Sequence, residues 1–259
     1  VISGTGVFTP GETITNAELV QAFNAYAEAF NTEHATAIAA GEIEAKGPSS
    51  EDFIFKASGI EQRYVMNKSG VLDPAIMHPT LRQRTDDEPG IMAEMALDAC
   101  QKALAQAGVD ASEVDLVICA ASNHERAYPA IAVEIQKLLG AGGFAFDMNV
   151  ACSSATFGIQ AAADMLRAGS ARKALVVNPE ICSGHLEWRD RDCHFIFGDV
   201  CTATLIERAD EAKAPRFKIR STRCATEFSN NIRNNNGFLR RTRTTGQDLD
   251  DRRDMQFMQ

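Results

Sequence analysis

The segment from Phe146 to Gly169, FDMNVACSSATFGIQAAADMLRAG, sets a thiol and two hydroxyls, Cys152, Ser153 and Ser154, between two apolar runs. The first run predicts a strand; the second predicts a helix from Ser153 to Arg167 closed by Gly169. A cysteine at such a junction meets the unpaired amides of the helix's first turn, and the helix macrodipole stabilises its thiolate. The same amides can hold the oxyanion formed when that thiolate attacks a thioester carbonyl. One position would then supply both nucleophile and electrophilic assistance. The blander reading is a small buried thiol beside a serine that caps the helix. The helix carries Phe157, Ile159, Ala161, Ala162, Ala163, Met165 and Leu166 against Gln160, Asp164 and Arg167, which predicts burial between layers.

The elements that must position this cysteine follow a repeating pattern. VISGTGVF reads as a first strand, and TNAELVQAFNAYAEAF as a helix opened by Thr and Asn. Residues 31–50 read as helix running into a loop. A polar stretch follows over 66–87, then a helix from Pro89 to Ala107 closed by Gly108, the strand VDLVICAAS, and a helix opened by Pro129. The strand FAFDMNV, the Cys152 helix and the strand KALVVNPE come next, with CTATLIER and RFKIRSTR as successive strands. Alternating elements with short connections predict βαβ units and a mostly parallel sheet with helices on its faces.

Bulk properties remove several function classes. Against 35 Asp and Glu stand 26 Lys and Arg, a net charge of -9, which disfavours nucleic acid and anionic membrane as partners. No run reaches the roughly 18–20 apolar residues of a membrane helix, and the N-terminus lacks the regions of a signal peptide. Seven cysteines, an odd number, several of them inside apolar runs, predict reduced thiols and a cytoplasmic location. No G-x-S-x-G elbow, P-loop or G-x-G-x-x-G fingerprint is present. Cys182, His185, Cys193, His194 and Cys201 are legitimate zinc ligands by type but lack paired C-x2-C spacing, so no metal is expected.

The stretch DMNVACSSATFGIQAAADMLRAGSARKALVV, followed by FIFGDVCTATLIE, resembles the N-terminal half of the thiolase-fold condensing enzymes. The most similar family is 3-oxoacyl-acyl-carrier-protein synthase III. GTGVFTPGETITNAEL resembles that family's opening strand and loop, SGIEQRYV its Gly-Ile-x-x-Arg segment, and YPAIAVEIQKLLG the helix before the nucleophile strand. Phe197, Gly198 and Asp199 resemble its Phe-Gly-Asp turn.

The resemblance implies an α/β, thiolase-like fold: an N-terminal βαβαβαββ half, residues 1–208 with an insertion at about 24–50, in a layered α-β-α-β-α arrangement. Residues 209–259 would begin a C-terminal half largely missing from this chain. The family's catalytic His and Asn motifs, which belong to that half, are not found before Gln259, and the sequence reads as a fragment of a longer protein. It also implies a decarboxylative Claisen condensation of an acyl-CoA primer with malonyl-acyl-carrier-protein, initiating fatty acid synthesis. The substrates would be acyl-CoA and malonyl-acyl-carrier-protein, with no metal, no redox cofactor and a homodimeric assembly. Alternatives are a related condensing enzyme of secondary metabolism or hydrocarbon synthesis, or a thiolase-like subunit that binds without catalysis.

Carried over residue by residue, Cys152 corresponds to the acyl-accepting nucleophile. Phe53 stands where the family usually has the Trp of its coenzyme A adenine clamp, and Arg191 matches the adenine-stacking Arg. Ala57, next to Lys56, replaces a second Arg of that clamp. Tyr128 resembles the aromatic residue that reaches across the dimer interface to close the neighbour's acyl pocket, and Ile196 and Phe197 match pocket-lining positions. A Tyr cannot serve as the Glu base of relatives that condense two long acyl chains, which favours decarboxylative chemistry. The basic residues Arg240, Arg241, Arg243, Arg252 and Arg253 are a candidate dock for an acidic carrier protein.

Overall fold

The computed structural model describes residues 1–230 and the backbone of Ile232–Asn234 and Met255–Phe257. In chain order the elements are β1 (Ile2–Phe8), β2 (Glu12–Thr15), α1 (Asn16–Glu33), α2 (Ala35–Ala39), α3 (Glu51–Ser58), β3 (Gln62–Val65) and α4 (Lys68–Leu72). There follow α5 (Ile91–Ala107), β4 (Leu116–Ala120), α6 (Ile131–Leu139), β5 (Phe144–Met148), α7 (Ser154–Ala168), β6 (Lys173–Ile181), β7 (Asp199–Glu207), and the short strands β8 (Ile232–Asn234) and β9 (Met255–Phe257). The chain divides into two units: Val1–Thr9 with Arg82–Ile181 and Val200–Thr226, and Pro10–Leu81 with Cys182–Asp199 and Glu227–Gln259.

The first unit is built on a five-stranded sheet in the order β1-β7-β6-β4-β5. All five residues of β4, LVICA, are buried, as a central strand covered on both faces requires. It runs parallel to β5 and β6, with Cys119 beside Asp147 in register. Leu116, Ile118 and Ala120 pack with Ala162 and Leu166 of α7, while Asp147, the register partner of Cys119, bonds to the first turn of α6. Side-chain alternation therefore separates α7 from α6 across the sheet, giving an α/β/α stack.

As the βαβ pattern predicts, β4 runs parallel to β5 and β6, while β1 pairs antiparallel with β7. β1 lies at the sheet edge, beside β7. Its small residues let α5 approach closely: a Cβ on Gly6 would lie 1.9 Å from the Ala99 carbonyl oxygen. Gly6→Ala is therefore expected to destabilise the protein by about 3 kcal/mol or more, read as a lowered urea midpoint.

Two expectations are corrected by the structure. Residues 216–223 do not form a strand; Phe217 alone bridges Ile2, exchanging bonds of 2.8 and 3.1 Å, and the ladder stops there. On that edge of β1 the Thr5 amide is already bonded to the Gln106 side chain at 2.8 Å, so a continuing partner strand would have to displace it. Second, α6 starts at Ile131 rather than at Pro129, with Ala130 as N-cap, because the Asp147 carboxylate takes the Ile131 and Ala132 amides at 2.8 and 2.7 Å. Within this chain α7 lays one face on the sheet. It buries Ser154, Gly158, Ala162, Ala163 and Leu166, while Phe157, Ile159, Ala161 and Met165 stay partly exposed.

The second unit gathers α1, α3, α4 and the antiparallel β2–β3 pair around a core that includes Leu19, Phe23, Ile54, Trp188 and Phe195. A capping box opens α1: the Thr15 hydroxyl accepts from the Glu18 amide, and the Glu18 carboxylate accepts from the Thr15 amide at 3.0 Å. The segment after α2 is held on α1 by two asparagines. Asn24 exchanges bonds of 3.1 and 2.8 Å with the Ser49 backbone, and Asn31 exchanges bonds of 2.9 and 2.8 Å with that of Lys46. β2, β3, α3 and α4 were not legible as elements in the sequence, since four- to eight-residue stretches carry too few periods to show a pattern.

Candidate active site

Between β5 and α7 the chain turns sharply at Ala151, whose φ of 48° lies in the left-handed region rare for a residue with a Cβ. Local bonds hold this turn. The Asn149 side chain accepts from the Ala151 amide at 2.9 Å, and the Ser154 hydroxyl accepts from the Val150 amide at 2.9 Å while donating to the Ala151 carbonyl at 2.7 Å. Ser153 takes the N-cap position, yet its side chain makes no capping bond, so neither serine is a conventional cap. The Cys152 side chain is thereby presented immediately before the first turn of α7, where backbone amides lack intrahelical partners.

The cysteines separate sharply by burial. Cys100, Cys119, Cys193 and Cys201 are buried, Cys182 and Cys224 are intermediate, and Cys152 is exposed. Burial pushes the thiols of Cys100, Cys119, Cys193 and Cys201 far up, which keeps them protonated and inert. Cys152 is exposed, and part of the neighbouring flank of α7 is partly exposed with it. Tyr128, also in the first unit, is 84% exposed and precedes Pro129 through a cis peptide bond.

In the second unit, Phe53 and Arg191 meet although 138 positions separate them in the chain. The Arg191 guanidinium carbon lies 3.9 Å above the Phe53 ring centroid, a cation–π contact. Ser50 caps α3 by accepting the Phe53 amide at 3.1 Å, and Phe195 meets the Phe53 ring edge-on at 5.7 Å. The Arg191 Nε donates to the Pro48 carbonyl at 2.7 Å, so the segment held by Asn24 and Asn31 orients this guanidinium. Phe197 is partly buried against the unit's core, and Ile196 is 38% exposed. The structure thus brings Phe53 and Arg191 together within one unit, and Cys152 and Tyr128 belong to the other. Lys56 pairs with Asp52 on the surface of α3 at 2.9 Å. The basic residues at 240–253 lie outside the described residues.

Asp199 anchors the loop that carries Arg191 and Phe197. It is buried and accepts from the Ser183 amide at 2.8 Å, the Ser183 hydroxyl at 2.7 Å and the Met66 amide at 2.7 Å. Burial raises its carboxyl above the usual range, and those three donors oppose the rise. Close packing also explains Gly198, where a Cβ would sit 2.6 Å from the Tyr64 carbonyl oxygen.

His194, at 0% exposure, contacts the Ser49 hydroxyl through Nε2 at 3.1 Å and lies edge-on to Phe23. Burial, with the charges of Arg63 and Arg191, holds its pKa down to about 3. The unfolded chain takes up this proton near the ordinary imidazole value of 6.5, so the contribution of neutral His194 is present above that pH and lost as pH falls towards 3. His194→Gln is expected to flatten the acid limb of stability between those values, measured as urea midpoints of variant and wild type across the range.

Among the described residues, one group of potential metal ligands lies within 4.8 Å of one another: Cys119, His124 and Asp147. The Asp147 carboxylate is already taken by two amides at the positive end of α6, a setting that opposes a cation. His194, a candidate ligand on sequence grounds, is committed to Ser49.

Sequence reasoning missed Asn149, Ser122 and Glu180 behind the cysteine turn. Only Asn149 carried a local signal, since an Asn two residues before a tight turn often bonds its own backbone. It also missed the role of Arg63, which is buried, donates to the Ile14 carbonyl at 3.1 Å and the Asn16 side chain at 2.6 Å, and is lowered to about 10 by burial.

Comparison with known proteins places this geometry. Residues 146–226 match the family model of 3-oxoacyl-[acyl-carrier-protein] synthase III. The chain is 58% identical to a beta-ketodecanoyl-[acyl-carrier-protein] synthase of Pseudomonas aeruginosa, over 88% of this chain and 65% of that protein. It is 30% identical to a beta-ketoacyl-[acyl-carrier-protein] synthase III of Granulibacter bethesdensis, over 88% of this chain and 57% of that one. The solved 3-oxoacyl-[acyl-carrier-protein] synthase III of Aquifex aeolicus superposes with a TM-score of 0.60 at 25% identity, covering 81% of this chain and 54% of its own. The chain therefore spans between half and two thirds of the length of these relatives. Its mixed α/β architecture is the thiolase-like fold of the condensing enzymes. Within that class, the chain is similar to the 3-oxoacyl-acyl-carrier-protein synthase III family. Among the described residues, no helix is long and apolar enough to cross a membrane.

Proposed function

We propose that the protein is an acyltransferase that carries out a decarboxylative Claisen condensation through an acyl-Cys152 intermediate, initiating fatty acid synthesis in the cytoplasm. The observation that carries this reading is the placement of an exposed Cys152 at the N-terminus of α7, inside the segment that matches the family. The Cys152 thiolate attacks the carbonyl carbon of an acyl-CoA, and the tetrahedral oxyanion accepts bonds from first-turn amides of α7. The carbon–sulfur bond to coenzyme A then breaks, and the departing thiolate takes up the proton that Cys152 released. A malonyl thioester on the carrier protein next loses carbon dioxide. Its enolate carbon attacks the acyl-Cys152 carbonyl, and the cysteine sulfur leaves.

Phe53 and Arg191 offer an aromatic face and a cation, the pair of contacts a nucleotide base and its phosphates use, which supports coenzyme A as the carrier of the primer. The product named for the Pseudomonas relative, beta-ketodecanoyl-acyl-carrier-protein, supports a medium-length acyl group. The exposure of Tyr128 supports a homodimer in which this side chain meets a second copy. No metal or redox cofactor takes part in these steps. The test is the intact mass of the protein after incubation with a series of acyl-CoA thioesters, with the adduct located by peptide mapping. An acyl adduct on Cys152 is expected; its absence with every chain length would refute the reading.

A further inference from the structure

Behind the cysteine turn stands a bonded series of side chains that none of the chemistry above uses. Glu180, on β6, accepts from the Ser122 amide at 2.6 Å and from the Ser122 hydroxyl at 2.6 Å. The Ser122 carbonyl in turn accepts from the Asn149 Nδ2 at 2.6 Å, and the Asn149 Oδ1 accepts from the Ala151 amide at 2.9 Å. Each link lies in the first unit, at the carboxyl ends of the parallel strands β4, β5 and β6. The series ends on the residue whose φ of 48° turns the chain into Cys152.

That end point decides what the series can do. A residue with a Cβ holds a left-handed conformation only where its surroundings over-determine it. Both peptide groups of Ala151 are restrained: its amide by Asn149, and its carbonyl by the Ser154 hydroxyl at 2.7 Å and the Ser154 amide at 3.0 Å. The Ser154 restraint belongs to the helix that follows the cysteine. Asn149 supplies the other restraint, which ties the turn to the sheet. Loss of the Asn149 bonds would leave Ala151 free to relax towards negative φ, and that rotation swings the Cys152 Cα away from the first-turn amides.

We propose that Asn149, braced through Ser122 by Glu180, is a positioning residue that sets the angle at which the Cys152 sulfur meets an acyl carbonyl lodged against the α7 amides. The proposal rests on Cys152 being the acyl acceptor. Its signature is a loss specific to acyl transfer, which needs thiol and amides in one geometry, and not to thiol chemistry in general. Alkylation by iodoacetamide needs no oxyanion site and so reports thiol access alone.

The test compares wild type, Asn149→Ala and Glu180→Gln for two rates, acylation of Cys152 by acyl-CoA and its alkylation by iodoacetamide, both followed by intact mass. Asn149→Ala is expected to slow acylation by about 10-fold to 100-fold, the scale of a misplacement on the order of 1 Å, while alkylation changes less than about twofold. Glu180→Gln, which keeps an acceptor for Ser122, is expected to slow acylation in the same sense and by less; it carries the test if Asn149→Ala does not fold. A merely structural role would show instead as new alkylation of the buried Cys100, Cys119 and Cys201, with acylation falling only in proportion. That result, or wild-type acylation in both variants, would overturn the proposal. A wild-type protein that is never acylated at Cys152 would overturn the proposed function instead, so the two failures are distinct.

Discussion

Replacing Cys152 with Ala is expected to abolish acyl transfer to the protein and to lower condensation by at least about 10⁴-fold, with no change in stability beyond about 0.5 kcal/mol. The two halves of this expectation have separate causes. Activity falls because the acceptor atom is gone, and the six other cysteines cannot substitute: four are buried with thiols held protonated, and Cys182 and Cys224 do not stand at the turn into α7. Stability holds because Cys152 is exposed, so truncation at Cβ empties no packed space. Intact mass after incubation with acyl-CoA reads the first half, and a urea titration reads the second. An adduct of undiminished yield on Cys152→Ala would assign the acceptor elsewhere. Cys152→Ser keeps a nucleophilic atom but loses the ready thiolate, and is expected to fall between the two.

Asp199→Ala is expected to cost about 3–5 kcal/mol, the largest stability loss among the loop residues, because three donors lose one shared acceptor. The Ser183 amide, the Ser183 hydroxyl and the Met66 amide all point at this carboxylate in a buried position, where water cannot replace it. Asp199→Asn keeps an oxygen of the same size in place and is expected to lose less, about 1–3 kcal/mol. The comparison of the two variants in urea separates lost bonding from lost volume. The loop between Ser183 and Asp199 also carries Arg191, so weakening its anchor is expected to raise KM for acyl-CoA in Asp199→Asn more than it lowers kcat. An Asp199→Ala protein within about 1 kcal/mol of wild type would show that the three donors find other partners.

Much of the first unit was legible in the sequence, for local reasons. The uninterrupted apolar run around Leu116–Ala120 marks a central parallel strand, and Gly108 and Gly169 end their helices in the left-handed conformation that favours glycine. The failed strand at 216–223 had the right alternation and lacked only a partner, which no alternation can supply. The second unit was less legible: its two-stranded ribbon joins strands 46 residues apart, and its short helices owe their form to capping by Ser50 and Asn67 and to packing around Trp188. The Phe53–Arg191 contact was reachable only through family resemblance, since no spacing rule joins residues so far apart.

The sequence by itself determined that a strand runs into an apolar helix at Cys152, because backbone periodicity and helix-end chemistry are properties of neighbouring residues. It determined equally that helices and strands alternate, and so that an α/β sheet would form. Only the tertiary structure decided which of seven chemically identical thiols is open to solvent, and that Asn149, Ser122 and Glu180 converge behind it. Exposure and long-range hydrogen bonds depend on which layers cover a residue, and that is settled by contacts between segments far apart in the chain.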